Sequence, residues 1–368
     1  VVRREPHARL HHCVRHCVQH HCAHRSGSLA VEARQIPSNC MTLRLSVASA
    51  AWQKHVRDTV TTLGDVLPVV KGNGYGFGRR ALMSHAANIS GDVAVGTVHE
   101  LADVPSTMRP FVLTPVGGGV VDARSAETVD AHGAPITRSI RPDAVLAVAS
   151  RHDLDVLKQI DVKNAVVIKV ESSMHRYGVA PADAASLRAQ AQAAGHEVVA
   201  WSLHLPLAGD THEQEVIRIA AQLSPDLPLH VSHLIGDARR VRASVKQRLV
   251  VRTGTQLWLG DKSMLSLHAD VIAVRSVSAG SVAGYRNTSV TRDGSLVMVG
   301  CGSSHGVGAL DDGRSPFHFA RRRLELLEAP HMHTSMLVVG DEPCPREGEW
   351  VDVQQPLTRV LVDTVAWR

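Results

Sequence analysis

The side chains best suited to carbonyl and proton chemistry recur at one kind of place in this chain. VVKGNGYGFG (69–78) sets Lys71, one of only seven lysines, at the end of an apolar run and follows it with four glycines. Lys169 lies near the end of AVVIKV (165–170), and His204 follows VVAWSL (198–203). Ser232 closes LPLHVS (227–232) with His233 next to it, and Arg252 follows LVV (249–251). A desolvated lysine loses its charge readily, and its free amine can condense with a carbonyl. Each residue taken alone has an ordinary reading. A lysine can be a surface cation, and a single histidine is more often a satisfied structural group than a functional one. The apolar approach LPVV argues against a surface role for Lys71, and the repetition at the ends of apolar runs argues for one shared site.

The elements that must position these residues follow from the same runs. LPVV (67–70), VAVGT (93–97), FVLT (111–114) and AVLAVA (144–149) join the four runs above to make eight. Parallel strands covered on both faces read as continuous apolar runs rather than as alternation. Between them lie helical patterns. PADAASLRAQAQAAG (181–195) opens with Pro and closes with Gly, and THEQEVIRIAAQL (211–223) opens with a capping-box pattern, Thr211 to Gln214. Eight strands alternating with helices predict an α/β chain with a (β/α)8 TIM-type barrel, a doubly wound sheet being the structural rival. In such a barrel the carboxyl ends of the strands share one mouth, so the residues above should converge. After residue 262 the pattern changes to short β segments separated by Gly, Pro and Asp, which predicts a C-terminal all-β domain. The expected organisation is a disordered leader (1–40), a barrel (41–262) and a β domain (263–368). TLRLSV (42–47) is placed to pair with the last of these.

Bulk composition narrows the partners. The net charge is +5, but residues 1–40 carry six Arg and two Glu, or +4, which leaves +1 for the other 328 residues. The main body therefore offers no basic face for nucleic acid. No run of 18 apolar residues suggests a membrane span. A small-molecule partner is expected. Residues 1–40 also hold four of the six cysteines and seven histidines. HHCVRHCVQHHC matches no standard zinc spacing, so no metal is expected there. Only Cys301 and Cys344 remain in the body, as in a reduced, cytoplasmic protein. The glycines after Lys71 form neither a Walker loop nor a Rossmann fingerprint.

KGNGYGFG resembles the signature of the alanine racemase family, pyridoxal-phosphate-dependent enzymes of fold type III. The resemblance continues in order along almost all of 41–360 and marks this chain as a divergent member. It implies that Lys71 holds pyridoxal 5'-phosphate through its amine and that Tyr75 binds the phosphate. IKVESSMHRYG (168–178) resembles the segment that supplies the substrate-carboxylate arginine, here Arg176, with Lys169 in support. SLHLPL (202–207) is similar to the segment whose histidine stacks beneath the cofactor ring, here His204. VRTGTQLWLG (251–260) resembles the stretch whose arginine meets the pyridine nitrogen and whose next residues meet phosphate, here Arg252, Gly254 and Thr255. AGSVAGYRNT (279–288) resembles the stretch carrying a second catalytic base, here Tyr285, which the family supplies from the partner subunit of a homodimer. APHMHTSM (329–336) resembles a segment of the family that implies a substrate-binding role for Met332.

The departures from that pattern lie mostly around the substrate. His233 and Leu234 stand where the family has Asn and Ser, with Ser232 available to replace the lost phosphate hydroxyl. Cys301 stands at a tyrosine position, His333 at an aspartate position, and the C-terminal phosphate tyrosine has no counterpart. The implied activity is a two-base racemisation, Lys71 on one face of Cα and Tyr285 on the other, with alanine the first substrate. An Arg252–His204–Tyr285 chain would lower the phenol pKa. Two rivals are a related decarboxylase that uses Cys301 as proton donor and a non-catalytic pyridoxal-phosphate carrier.

Overall fold

The computed structural model describes residues 42–117, 140–234, 236–341 and 343–368. The expectations for residues 1–40, the leader and the histidine–cysteine run, lie outside them.

All eight apolar runs form strands. They are β2 (Val66–Pro68), β3 (Asp92–Val95), β4 (Arg109–Pro115), β5 (Val145–Val148), β6 (Val166–Val170), β7 (Val198–His204), β8 (Leu229–Ser232) and β9 (Leu249–Thr253). They pair in parallel in the order β2-β9-β8-β7-β6-β5-β4-β3. A Val69–Ala94 bridge joins β3 back to β2, with the Val70 N–H donating to Ala94 O at 2.8 Å. The ring of eight is thus a barrel, not a doubly wound sheet. Among the described residues the strands are followed or flanked by α1 (Ser49–Leu63), α2 (Arg79–Ala87), α3 (Arg151–Gln159), α4 (Ala184–Ala193), α5 (His212–Ala220), α6 (Ala238–Ser244) and α7 (Thr255–Leu259). In α1, Trp52, Val56, Thr59 and Leu63 are the buried positions. Their spacing of three and four residues puts one face on the barrel. The expected capping box at Thr211 does not form, since its side chain accepts no hydrogen bond. Ser150 and Asp153 make one at α3 instead.

Side-chain alternation along the strands decides what points inward. Leu67, Val69, Phe111, Val145, Ala147, Val167, Ala200 and Val250 belong to one small apolar cluster that fills the barrel. The larger cluster lies between strands and helices. Residues an even number of positions beyond an inward one share its face. Lys71 follows Val69, Lys169 follows Val167, Ser202 and His204 follow Ala200, and Arg252 follows Val250. The polar residues are thus the top layer of the barrel's own interior.

The remaining strands form a sheet around β10 (Leu265–Val277). Its members are β13 (Gly294–Val299), β14 (Phe317–Phe319), β15 (Arg322–Arg323), β16 (Glu325–Leu326), β17 (Ser335–Val339), β18 (Trp350–Val353) and β19 (Thr364–Trp367), with a separate hairpin of β11 (Val282–Ala283) and β12 (Thr288–Ser289). β1 (Leu43–Val47), the segment that precedes the barrel, pairs antiparallel with β10 and parallel with β19.

An aromatic cluster ties the sheet to the barrel mouth. Trp52 stacks on Trp258 at 5.9 Å, and its ring lies 5.4 Å from Phe77 and 5.2 Å from Trp367. Trp258 Nε1 donates to Val69 O at 2.8 Å, and Trp52 Nε1 donates to Trp258 O at 3.0 Å. Two indoles therefore fix α7 against the end of β2, two residues before Lys71.

Candidate active site at the barrel mouth

A cavity of about 550 Å3 opens at the carboxyl end of the strands. Lys71, Tyr75, His204, Ser232, Arg252, Gly254 and Thr255 all line it, with His233 and Leu234. Seven of the positions picked out in the sequence are thus brought together from four strands and the loops after them. Arg176 stands on the loop after β6. It is close enough for its charge to act on Lys71, Lys169, His204, His233 and Arg252. Glu215 of α5 holds this loop by accepting from Ser173 N–H at 2.6 Å and Ser173 Oγ at 2.7 Å.

Lys71 is open to the cavity, yet its amine is partly desolvated. Burial lowers its pKa first, Arg176 lowers it further, and Glu100 opposes both. Glu100 braces the turn on either side: Oε1 accepts from Gly72 N–H at 2.9 Å and Oε2 from Gly96 N–H at 2.6 Å. Lys169 is 3% exposed, and its Nζ donates to Leu113 O at 3.3 Å. Burial pushes its pKa down to about 7, helped by Arg252, Arg176 and Lys71. Arg252 is buried, and its guanidinium donates from Nε to Ser232 Oγ (2.9 Å), from Nη1 to Ser202 Oγ (2.6 Å) and from Nη2 to Leu203 O (2.8 Å). Burial draws its pKa down to about 10, which leaves it cationic near neutrality. Three of its five N–H donors are used, and two remain for a ligand.

The Ser232 oxygen accepts from Arg252 Nε and so orients the guanidinium, which leaves the serine O–H to donate. Of the expected Arg252–His204–Tyr285 chain, the Arg252–His204 link is not among the described hydrogen bonds, which take the guanidinium to Leu203 O and two serines. His204 lies 4.8 Å from the His233 ring, and burial, followed by Arg252 and His233, holds its pKa down to about 2. It is a neutral, flat ring.

Tyr75 supplies the best test of what the cavity holds. Its backbone is left-handed (φ 56°), and its side chain is buried. A Cβ built on Gly254 would lie 1.9 Å from the Tyr75 hydroxyl oxygen. Only glycine lets the hydroxyl rest against this backbone. Tyr75 Oη and the Gly254 backbone thus meet in one wall of the cavity, with Thr255 beside them. Lys71 and Arg252 line the cavity, and Arg176 and the buried Lys169 are close enough for the four charges to act on one another. Their mutual repulsion is relieved by anions, and a phosphate with a carboxylate supplies them. The donor set fits pyridoxal phosphate: Lys71 would supply the amine that condenses with its carbonyl, and His204 and Arg252 would hold its ring.

Tyr285 and Met332 are not in this cavity. They are 85% and 66% exposed on the β sheet side of the chain. Cys301 is fully buried, and burial followed by Asp270 and Asp363 raises its thiol pKa. His333 Nδ1 meets Ser304 Oγ at 3.2 Å. Ser202, Glu100 and Glu215 were missed in the sequence. Ser202 was findable, since it precedes His204 by two on an inward face; the two glutamates carry no positional signal. Among the described residues no group of three or more metal-ligating side chains occurs, and no helix is long and apolar enough to cross a membrane.

Comparison with known proteins agrees with the geometry. An alanine racemase of Thermobifida fusca is 25% identical over 304 residues, 75% of this chain and 78% of that protein. Among solved structures, the biosynthetic alanine racemase of Pseudomonas aeruginosa superposes with a TM-score of 0.65 at 19% identity, covering 89% of this chain and 99% of that one. An alanine racemase of Bartonella henselae, solved with covalently bound pyridoxal phosphate, gives 0.63 at 15% identity, with 89% and 99% covered. The family described as alanine racemase, N-terminal domain, matches residues 47–258, more than half of the chain and the whole barrel mouth, and the chain belongs to that family.

Proposed function

We propose that this protein is a pyridoxal-phosphate-dependent amino-acid racemase that interconverts L- and D-alanine as a homodimer with shared active sites. The observation that carries the reading is Lys71 at the mouth of a cation-lined cavity, beside a cradle that Tyr75 and Gly254 form only because Gly254 has no side chain. The cofactor, when bound, makes the substrate Cα–H acidic by spreading the charge left behind.

The residues of the chain do the rest. Arg176 neutralises the substrate carboxylate and holds it at the mouth. Tyr75, Gly254 and Thr255 hold the phosphate end. Arg252 stays cationic, so it keeps its proton rather than passing it to a ring nitrogen, which limits side reactions. Lys71, with its pKa lowered, takes or returns a proton on one face of Cα. Inversion needs a second acid–base group on the opposite face. Tyr285 fills that role from the partner subunit, which agrees with its 85% exposure and its position outside its own cavity.

The buried thiol of Cys301 speaks against the decarboxylase alternative, since a fully enclosed group cannot deliver a proton to another subunit's substrate. The test is incubation with L-alanine in deuterated water, for wild type and Tyr285→Phe. The proposal expects D-alanine and Cα deuterium from wild type, and loss of D-alanine in the variant. Cofactor bound with no Cα exchange in wild type would identify a carrier and refute it. Release of carbon dioxide would do the same in favour of a decarboxylase.

A further inference from the structure

A base that works across a subunit boundary must be held in direction, and an exposed tyrosine on a short turn is ordinarily mobile. Tyr285 sits between β11 and β12, and its surroundings are unusual for a turn tip. The Glu328 side chain is only 5% exposed. Its Oε1 accepts from the Tyr285 N–H at 2.8 Å, and its Oε2 accepts from Thr288 Oγ1 at 2.8 Å and the Arg286 N–H at 3.3 Å. Oε1 also lies 2.5 Å from His331 Nε2. A carboxylate only accepts, so Nε2 carries the proton in this pair. The His331 ring lies flat against the Tyr285 ring, with centroids 4.0 Å apart and planes 16° from parallel. Gly284 makes the approach feasible, since a Cβ there would fall 2.4 Å from Glu328 Oε1 at a φ of +80°.

We propose that Glu328 and His331 are positioning residues for Tyr285: the carboxylate pins the 284–288 turn, and the imidazole it orients forms the platform that fixes the phenol's direction. This rests on the reading of Tyr285 as the second acid–base group. Neither residue touches substrate. One carboxylate serves both tasks, so the turn and the platform move as one unit.

The test uses the full chain with pyridoxal phosphate in deuterated water, run with L- and with D-alanine in turn. Cα deuterium in the recovered starting enantiomer reads the base on the face that carries its proton; the exchange that survives Tyr285→Phe marks the Lys71 face, and inversion needs both bases. His331→Ala should slow inversion about tenfold in kcat, the scale of a lost aromatic pair, with KM and exchange on the Lys71 face close to wild type. His331→Phe, which restores a flat ring, should recover most of the loss. Glu328→Gln should slow inversion as well. Equal losses on both faces, or wild-type inversion in His331→Ala, would overturn the proposal. A second readout needs no turnover: in protein labelled with 3-fluorotyrosine, the Tyr285 fluorine signal, assigned through Tyr285→Phe, should shift and sharpen in His331→Ala. An unchanged signal would show that the platform does not hold the ring. Tyr285→Phe separates the two failures. If it keeps wild-type inversion, the second-base reading falls; if it loses inversion while His331→Ala does not, only the positioning role falls.

Discussion

Gly254→Ala probes the cradle in a way the structure makes quantitative. The added Cβ would sit 1.9 Å from the Tyr75 hydroxyl oxygen, and real Cβ atoms essentially never come within 3.0 Å of a neighbour, so the hydroxyl must retreat by about 1.1 Å. The φ at Gly254 is −131°, outside the left-handed range that favours glycine, so the substitution tests the approach of Tyr75. A retreat of that size breaks a hydrogen bond from the phenol to a phosphate oxygen. Bonds of this charged kind are worth about 1.5–3 kcal/mol, or roughly tenfold to 150-fold in Kd. Tyr75→Phe removes the same bond without the clash and should weaken binding by a similar factor. The assay is titration of the unliganded protein with pyridoxal phosphate, followed by absorbance, with thermal unfolding of both variants as a folding control. Wild-type Kd in Gly254→Ala, or a loss in Gly254→Ala that Tyr75→Phe does not share, would refute the assignment of Tyr75 Oη to the phosphate.

Three further outcomes are expected. Lys169 is buried, with its pKa at about 7 against 10.5 for the free side chain, so the unfolded chain binds more protons between those values. Its cost to stability is fully present below pH 7 and fades as pH rises toward 10.5; in the unliganded protein, Lys169→Met should raise stability by a few kcal/mol at pH 6–7 and flatten the rise of stability with pH seen in urea titrations. Trp258→Ala removes a buried indole and its bond to Val69 O, and should cost about 3–5 kcal/mol in urea unfolding with loss of cofactor affinity, because α7 and the end of β2 separate. The Cys301 thiol should resist alkylation in the native protein and react only on unfolding; ready native labelling would contradict its burial.

How much could be read in advance depends on the kind of signal. The barrel was legible because both faces of each strand are buried, which leaves an unbroken apolar run. The mouth residues were legible because each stands just where such a run stops. Alternation from Val69, Val167, Ala200 and Val250 then explains why Lys71, Lys169, His204 and Arg252 face inward. The inward placement of Ser202 was legible, but the bonds of Ser232 and Ser202 to Arg252 were not, since only the packed geometry shows them. Nor was Glu328, whose partners in the 285–288 turn lie some forty residues away in sequence and carry no local pattern. The capping box at Thr211 failed for a related reason: a local motif states what a side chain could bond, not what the surrounding contacts allow.

The central claim is that Lys71 is the amine that holds the cofactor. Borohydride reduction of the protein loaded with pyridoxal phosphate, followed by peptide mapping, tests it directly. The account predicts one pyridoxyl label, on Lys71. A label on another lysine, or none after reduction, would contradict it.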